Sequence, residues 1–463
     1  MQGVVIMKLT LSISKKECDL IHEQSLKLLK TMGITVFSKE ALDVFRKAGA
    51  RVQGKQVFID SHLIEESIKL VPRAFPIYSS SRRVVVGKGE ICTLPPYGGT
   101  TVSRNEQIAL GTRNDYLNFT KLNQLNDNIS MACPYTVEPF DIPLDQRNSY
   151  RIAMILKYSD KPSLSVVGGK EDSRRCIEMV QKYHGIRNKP VVLGNVNVSS
   201  PMIMGHSTTE VITVHCEENQ PLMIACGSGL SGLTAPPTPG GNLLLANAGV
   251  LAGIVFAQIQ SPGLPIIYGL PLFGVDPFKA ETSVGSSATG LFTLAAKGMA
   301  QYYQIPFRAG GTFTDSKYLD YQSGFESGMN LLSSLLAEVD CLMHSFGMED
   351  TLRTINYNKY ILDEYMYLSL KDFLKGMDIN DVTVMTDEIL RAGSTGNYIS
   401  SRNLKLIRKQ YPKRGFGEGK TREEMLKETD EEIKRRLNSF EFSAPTKDQI
   451  KILRGYLPDE YID

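Results

Sequence analysis

PVVLGNVNVSS (190–200) is a proline, a run of apolar residues and a polar end, and the chain repeats that phrase five times. The other copies are PSLSVVGG (162–169), PLMIACGSG (221–229), PIIYGLPLFG (265–274) and PFRAGG (306–311). Their prolines lie 28, 31, 44 and 41 residues apart, room for one strand and one covering helix. Short runs rich in Val, Ile and Leu, separated by helical patterns, read as parallel strands buried on both faces. Proline suits the first residue of such a strand, where no ladder donor is needed. CTLPPYGGTTV (92–102) and NISMACPYTVEPF (128–140) precede the set, and DCLMHSFGMED (340–350) follows it, which makes eight. The reading predicts an α/β fold, a closed TIM (β/α)8 barrel of ~250 residues or more, with its chemistry where the strands end. An open doubly wound sheet is the alternative. No G-x-G-x-x-G opens a helix after the first strand, which argues against it.

Around this core, 463 residues leave room for appendages. Residues 1–90 read as an N-terminal α+β extension, 91–377 as the barrel and 378–463 as a helical C-terminal extension. Ser14 and Ser38 stand where helix caps belong. KTREEMLKETDEEIKRRL (420–437) reads as a solvated helix face laced with i,i+4 pairs. Both ends are expected to pack on the barrel. Hydrophobic content of 42% and charged content of 22% are those of a globular protein. A net charge of +2 leaves no nucleic-acid or membrane-surface footprint. No secretory h-region and no apolar run near ~18 residues is read from the sequence. Seven scattered cysteines without a C-x-x-C pair read as buried thiols in a cytoplasmic protein.

The strand ends carry three kinds of residue. Glycines come first: Gly98, Gly99, Gly168, Gly169, Gly227, Gly229, Gly240, Gly241, Gly310 and Gly311. Each alone is a turn residue, but five such stretches on one rim would let a large flat ligand approach the backbone. Aromatic residues come second: Tyr97, Tyr135, Phe140, Phe273, Phe278, Phe313, Tyr318 and Phe346. Core packing accounts for any one of them, whereas a converging set forms a cage for a quaternary ammonium group, at ~0.5–2 kcal/mol per ring. Tyr97, Phe273, Phe313 and Phe346 are the expected cage. Polar groups come third: Asn195, Asn197, Ser199, His206, Asp276, Arg308, Thr312, Thr314, Asp315, Lys317 and His344. His215-Cys216 lies in a helix before a strand, and no H-E-x-x-H or Cys/His cluster exists, so no metal site is expected. G-x-S-x-G and P-loop patterns are absent too.

Three stretches at these strand ends carry a resemblance. They are GLSGLTAPPTPGGNLLLANAGVLAGIVFAQIQSPGLPIIYG (229–269), AGGTFTDSKYLDYQSGFE (309–326), and HSFGMEDTL (344–352) with KYILDE (359–364). The chain resembles the trimethylamine methyltransferase family, in the branch without pyrrolysine that demethylates betaine-type quaternary amines. Gly249, Gly285-SSAT and Arg402-Asn403 stand where members of that family often differ. The resemblance implies a TIM barrel that hands a methyl group to the cobalamin of a separate corrinoid protein. The chain itself would hold no corrinoid, and it has no D-x-H-x-x-G motif. The corrinoid-facing rim would comprise Gly98, Gly99, Gly168, Gly169, Gly227, Gly229, Gly310, Gly311 and Asp315. Glycine betaine, proline betaine, carnitine and γ-butyrobetaine are the candidate substrates. Their carboxylate needs donors, and the candidates are His344, Asn195, Asn197, Arg308 and Arg353. His344 ranks first, because it lies two positions before Phe346 and strand alternation puts both on one side. A homo-oligomer is expected. Two other readings compete: a lyase using Lys317 as a Schiff base, and a non-catalytic betaine-binding barrel.

Overall fold

The computed structural model describes residues 12–166, 168–227, 229–394, 396–410 and 420–462. Seven strands form one parallel sheet: Cys92–Thr93, Ser163–Leu164, Val192–Val198, Leu222–Cys226, Ile266–Gly269, Phe307–Gly310 and Cys341–Met343. The last lies beside the first, with Cys341 opposite Cys92. The stretch 130–132 closes the ring without being a regular strand. Ser130 N–H donates to Thr93 O at 2.8 Å, Ala132 N–H to Pro162 O at 2.8 Å, and Leu164 N–H to Ala132 O at 3.0 Å. Thr93 N–H donates to Ser130 Oγ at 3.0 Å, so a side chain replaces part of the ladder there. All eight runs of the repeat are therefore staves of one closed barrel, and the open sheet is ruled out.

The staves point Leu164, Leu193, Met223, Ile267, Cys341 and Met343 into one buried cluster with Phe75, Ile77 and Val86. The last three belong to an antiparallel hairpin, Phe75–Tyr78 with Arg83–Val86. Tyr78 N–H donates to Pro190 O at 2.8 Å, at the beginning of the fourth stave. The hairpin thus plugs the end where strands begin. Any reactive pocket is left to the opposite end, the C-terminal mouth.

Helices Lys15–Thr31, Lys39–Lys47 and Ser61–Leu70 pack on a long helix, Pro239–Gln260. Ser14 and Ser38 cap the first two as expected. Pro239–Gln260 corrects the sequence reading: it is 22 residues long with a mean hydropathy of 1.7, apolar enough to cross a membrane. Its most apolar window is 83% buried inside the protein, so it serves as a core helix. All seven cysteines are buried free thiols.

After the eighth stave, helix Tyr357–Leu374 receives the charged helix Arg422–Asn438. Asn358 Nδ2 donates to Thr429 Oγ1 at 2.9 Å, and Arg436 Nη1 to Glu364 at 2.7 Å. The stretch between them does not pack as expected. Met377, Ile379, Val382, Leu390 and Ile399 are 89%, 75%, 80%, 74% and 82% exposed, and helix Thr386–Ala392 buries no residue.

Candidate functional site

The connections after the first, second, sixth, seventh and eighth staves bring four rings and an imidazole into one chain of contacts. Phe313 meets Phe273 edge-on at 5.7 Å between centroids and His344 at 5.4 Å. His344 meets Tyr97 at 5.9 Å, and Tyr97 meets Tyr135 at 5.3 Å. The Phe313 ring lies directly on Gly310, where a Cβ would fall 1.9 Å from it. Beneath these rings Arg308 extends from the seventh stave into the barrel. Gly269 faces it across the ladder, and a Cβ there would stand 2.7 Å from Arg308 Nε. Phe273, Arg308, Gly310, Phe313, Met343 and His344 line one narrow pocket of about 30 Å³.

Arg308 is the unusual member. It is 8% exposed and no acidic side chain pairs with it among the described residues. Its Nη1 points at Met343 Sδ at 2.6 Å, a weak acceptor, and its Nε has no partner. Burial lowers its pKa to about 10, with Cys341 and Tyr97 opposing, so it stays charged at neutral pH. Two further buried polar atoms nearby are unpaired, Asn195 Oδ1 and His344 Nδ1. The Asn195 side chain hydrogen-bonds Tyr97, whose hydroxyl burial holds protonated. For His344, burial and then the Arg308 charge lower the pKa to about 3. Its imidazole is neutral at working pH. An unpaired buried cation is costly unless an anion arrives. The floor of the pocket is thus built for an anion, and its walls for an apolar or cationic group.

Several expected site residues stand elsewhere. Phe346 is fully buried and packs against Tyr360 and Tyr367, each at 5.7 Å, outside the barrel. Alternation fails here because the strand ends at Met343 and His344 takes a φ of +52°. Arg353 is exposed and pairs with Asp350 at 3.2 Å, on a loop. Asn197 is exposed at the end of its strand, while Asn195 points inward.

Three rim glycines are taken up by packing. Gly99 is pressed against Ile355 and Gly311 against the His344 carbonyl, and Gly169 is buried at a helix start. Gly98 and Gly168 are exposed, and Gly227 and Gly229 partly so. Asp315 is not a free rim group. It accepts hydrogen bonds from Ser283 Oγ (2.6 Å), Val284 N–H (2.9 Å), Gly285 N–H (3.1 Å) and Thr351 Oγ1 (3.0 Å). Lys317 is exposed and lies in no apolar pocket, which removes the basis for a Schiff-base lyase. His215 is fully buried with a pKa lowered to about 4 by burial, a core histidine. No group of three or more potential metal ligands occurs among the described residues.

Sequence reading missed three contributors. Tyr135 stands among the rim aromatics but outside the expected cage, and Met343 and Gly269 are not singled out.

A family model described as trimethylamine methyltransferase matches residues 5–411 of the chain. The chain belongs to that family. Proline betaine:corrinoid methyltransferase of Eubacterium limosum is 31% identical, over 97% of both chains. Glycine betaine methyltransferase of Desulfitobacterium hafniense is 30% identical over 85% of this chain and 83% of that one. L-carnitine:corrinoid methyltransferase of Eubacterium limosum is 28% identical over 97% of both. The crystal structure of monomethylamine methyltransferase from Methanosarcina barkeri covers 97% of this chain and 88% of that one, with a TM-score of 0.52 at 12% identity, which shows a shared fold. As a member of the trimethylamine methyltransferase family, the protein is an enzyme. The stretch that carries the resemblance, Thr314 to Glu326, is a self-locking loop. Glu326 accepts from Thr314 Oγ1 at 2.7 Å and Asp315 N–H at 2.8 Å, and Asp320 caps the helix Tyr321–Leu336.

Proposed function

We propose that the enzyme moves a methyl group from a carboxylate-bearing quaternary amine to the corrinoid of a separate protein. The observation that carries this reading is Arg308, a buried cation without an acid, lying under the rings of Tyr97, Phe273, Phe313 and the neutral His344. The carboxylate goes down to Arg308, with Asn195 and His344 beside it. The ammonium and its methyls then face the mouth. Tyr97, Phe273 and Phe313 hold the ammonium by cation–π attraction. A protonated imidazole at His344 would repel it, and the lowered pKa prevents that. In the chemistry the corrinoid supplies, the nitrogen keeps the electron pair of the broken C–N bond and cobalt(I) provides the pair for the new one. The amine leaves neutral, so this chain needs no general acid. Its tasks are to orient one methyl and to exclude water, and positioning alone contributes up to ~7–11 kcal/mol.

The named activities of the relatives support this class, and the first three act on substrates that bear a carboxylate. The catalytic body is the barrel of residues 91–377, and the flanking extensions brace it. The enzyme works in the cytoplasm as a homo-oligomer, without nucleic acid or membrane. The test is a panel of glycine betaine, proline betaine, carnitine, γ-butyrobetaine, choline and trimethylamine. Each is mixed with enzyme and cob(I)alamin, and the cobalamin absorbance is followed. At least one carboxylate-bearing compound turns over, and faster than choline or trimethylamine. A preference for trimethylamine would overturn the reading.

A further inference from the structure

The mouth above this pocket carries an unusual surface. Phe278 is 98% exposed, Tyr321 85%, Leu233 68%, Leu291 68%, Phe325 56% and Tyr318 54%. A single exposed leucine or phenylalanine is ordinary. These six lie in the connections after three consecutive staves, the fifth, sixth and seventh, which are neighbours in the barrel. Two of these connections, after the sixth and seventh staves, also carry Phe273 and Phe313. Large apolar side chains exposed together in neighbouring connections mark a docking site.

The patch is held on a stiff platform. Phe278 tops the antiparallel hairpin Gly274–Asp276 with Glu281–Ser283. The Asp276 carboxylate accepts Phe278 N–H at 2.9 Å and Lys279 N–H at 3.2 Å, which fixes the tip. Asp315 ties the base of that hairpin to the loops of the seventh and eighth staves through the four bonds given above. Tyr321 and Phe325 stack on one face of a helix capped by Asp320, at 6.1 Å and 15°. Rings presented this way lose little freedom on binding.

We propose that Leu233, Phe278, Leu291, Tyr318, Tyr321 and Phe325 form the surface on which the corrinoid protein docks. The inference rests on the methyl-transfer reading. The methyl points out of this mouth, so the protein carrying cobalt must cover it within bonding distance. A permanent partner here, such as a second copy, would shut the acceptor out. A partner that comes and goes needs a small interface with a few strong aromatic anchors.

The test compares two acceptors. Phe278→Asp and Tyr321→Asp variants, singly and together, are assayed with free cob(I)alamin and with the corrinoid protein. The rate with free cob(I)alamin stays within about twofold of wild type. The KM for the corrinoid protein rises about tenfold or more in the double variant. Unchanged KM in all variants, or equal loss with both acceptors, overturns the docking surface. A fall in oligomeric mass with an unchanged KM reassigns the patch to a self-interface and overturns it too. Wild-type enzyme that methylates neither acceptor overturns the underlying reading instead.

Discussion

At the residue scale the site turns on Arg308, whose environment gives a test that separates binding from structure. Arg308→Met removes an unpaired buried charge, so it should leave stability unchanged or raised. It should also raise KM for a betaine by roughly 1.5–3 kcal/mol equivalent, the worth of a hydrogen bond to a charged group. A tetramethylammonium ion, which lacks the carboxylate, should bind the variant as it binds wild type in calorimetry. A variant that melts early would make Arg308 structural and move the anion site elsewhere. His344 gives the matching pH prediction. Its folded pKa of about 3 lies below the ~6.5 of an unfolded histidine. Its stabilising contribution is present above ~6.5 and is lost as pH falls toward 3. Substrate affinity should therefore show no inflection from His344 between pH 5.5 and 8.5. An inflection near 6.5 that vanishes in His344→Asn would contradict a neutral imidazole. The sequence made Tyr97, Phe273, Phe313 and His344 visible because strand ends are where barrels keep function. It misplaced Phe346 because alternation holds only while the backbone stays extended, and here it turns at His344. It ranked Arg308 low because nothing in a sequence reveals that a charge has no partner.

At the scale of elements, one buried ion pair locks the mouth loops to the helix behind them. Lys359 and Asp363 lie one turn apart on helix Tyr357–Leu374 and pair at 2.6 Å, both almost wholly buried. Asp363 also accepts from Thr312 Oγ1 at 2.7 Å and Gly347 N–H at 2.6 Å, and Lys359 donates to Ser327 Oγ at 2.8 Å. Burial raises the Asp363 pKa while Lys359 opposes the shift. Lys359→Met leaves the carboxylate stranded and should lower stability by about 3–5 kcal/mol. The double variant Lys359→Met with Asp363→Leu should lose less than the sum of the singles. Additive losses in urea melts would mean the two act independently. The stave order and the capped N-terminal helices could be read from proline spacing and Ser14 and Ser38. The irregular closing stave could not, since its ladder depends on the Ser130 side chain. Nor could KYILDE be recognised as a lock, because its partners lie 16 to 51 residues away in the chain.

At the scale of the whole molecule, the stretch 377–407 leaves several large apolar side chains exposed among the described residues. The helix before it runs back from the mouth. Glu364 already meets Asn128, at the beginning of the second stave, at 3.2 Å. The stretch therefore leaves from the far end of the barrel, where a partner seated over the mouth does not reach. Among the described residues nothing covers Met377, Ile379, Val382, Leu390 and Ile399, so a lasting cover would stabilise the stretch. Full burial of such side chains is worth ~1.5–3 kcal/mol each, enough together to offset an association cost of ~4–15 kcal/mol. A second copy of this chain meets both conditions. Wild-type enzyme should scatter light as a dimer or larger at roughly 10 μM, the micromolar range of a stable complex. Changing Ile379, Val382, Leu390 and Ile399 to Asp should release monomers that still methylate free cob(I)alamin, since none of the four lies near the pocket. A monomeric wild type, or an assembly indifferent to all four changes, would refute self-association through this stretch. Loss of corrinoid-protein turnover in those monomers, with free cob(I)alamin still methylated, would instead mean that the far end of one copy shapes the mouth of another.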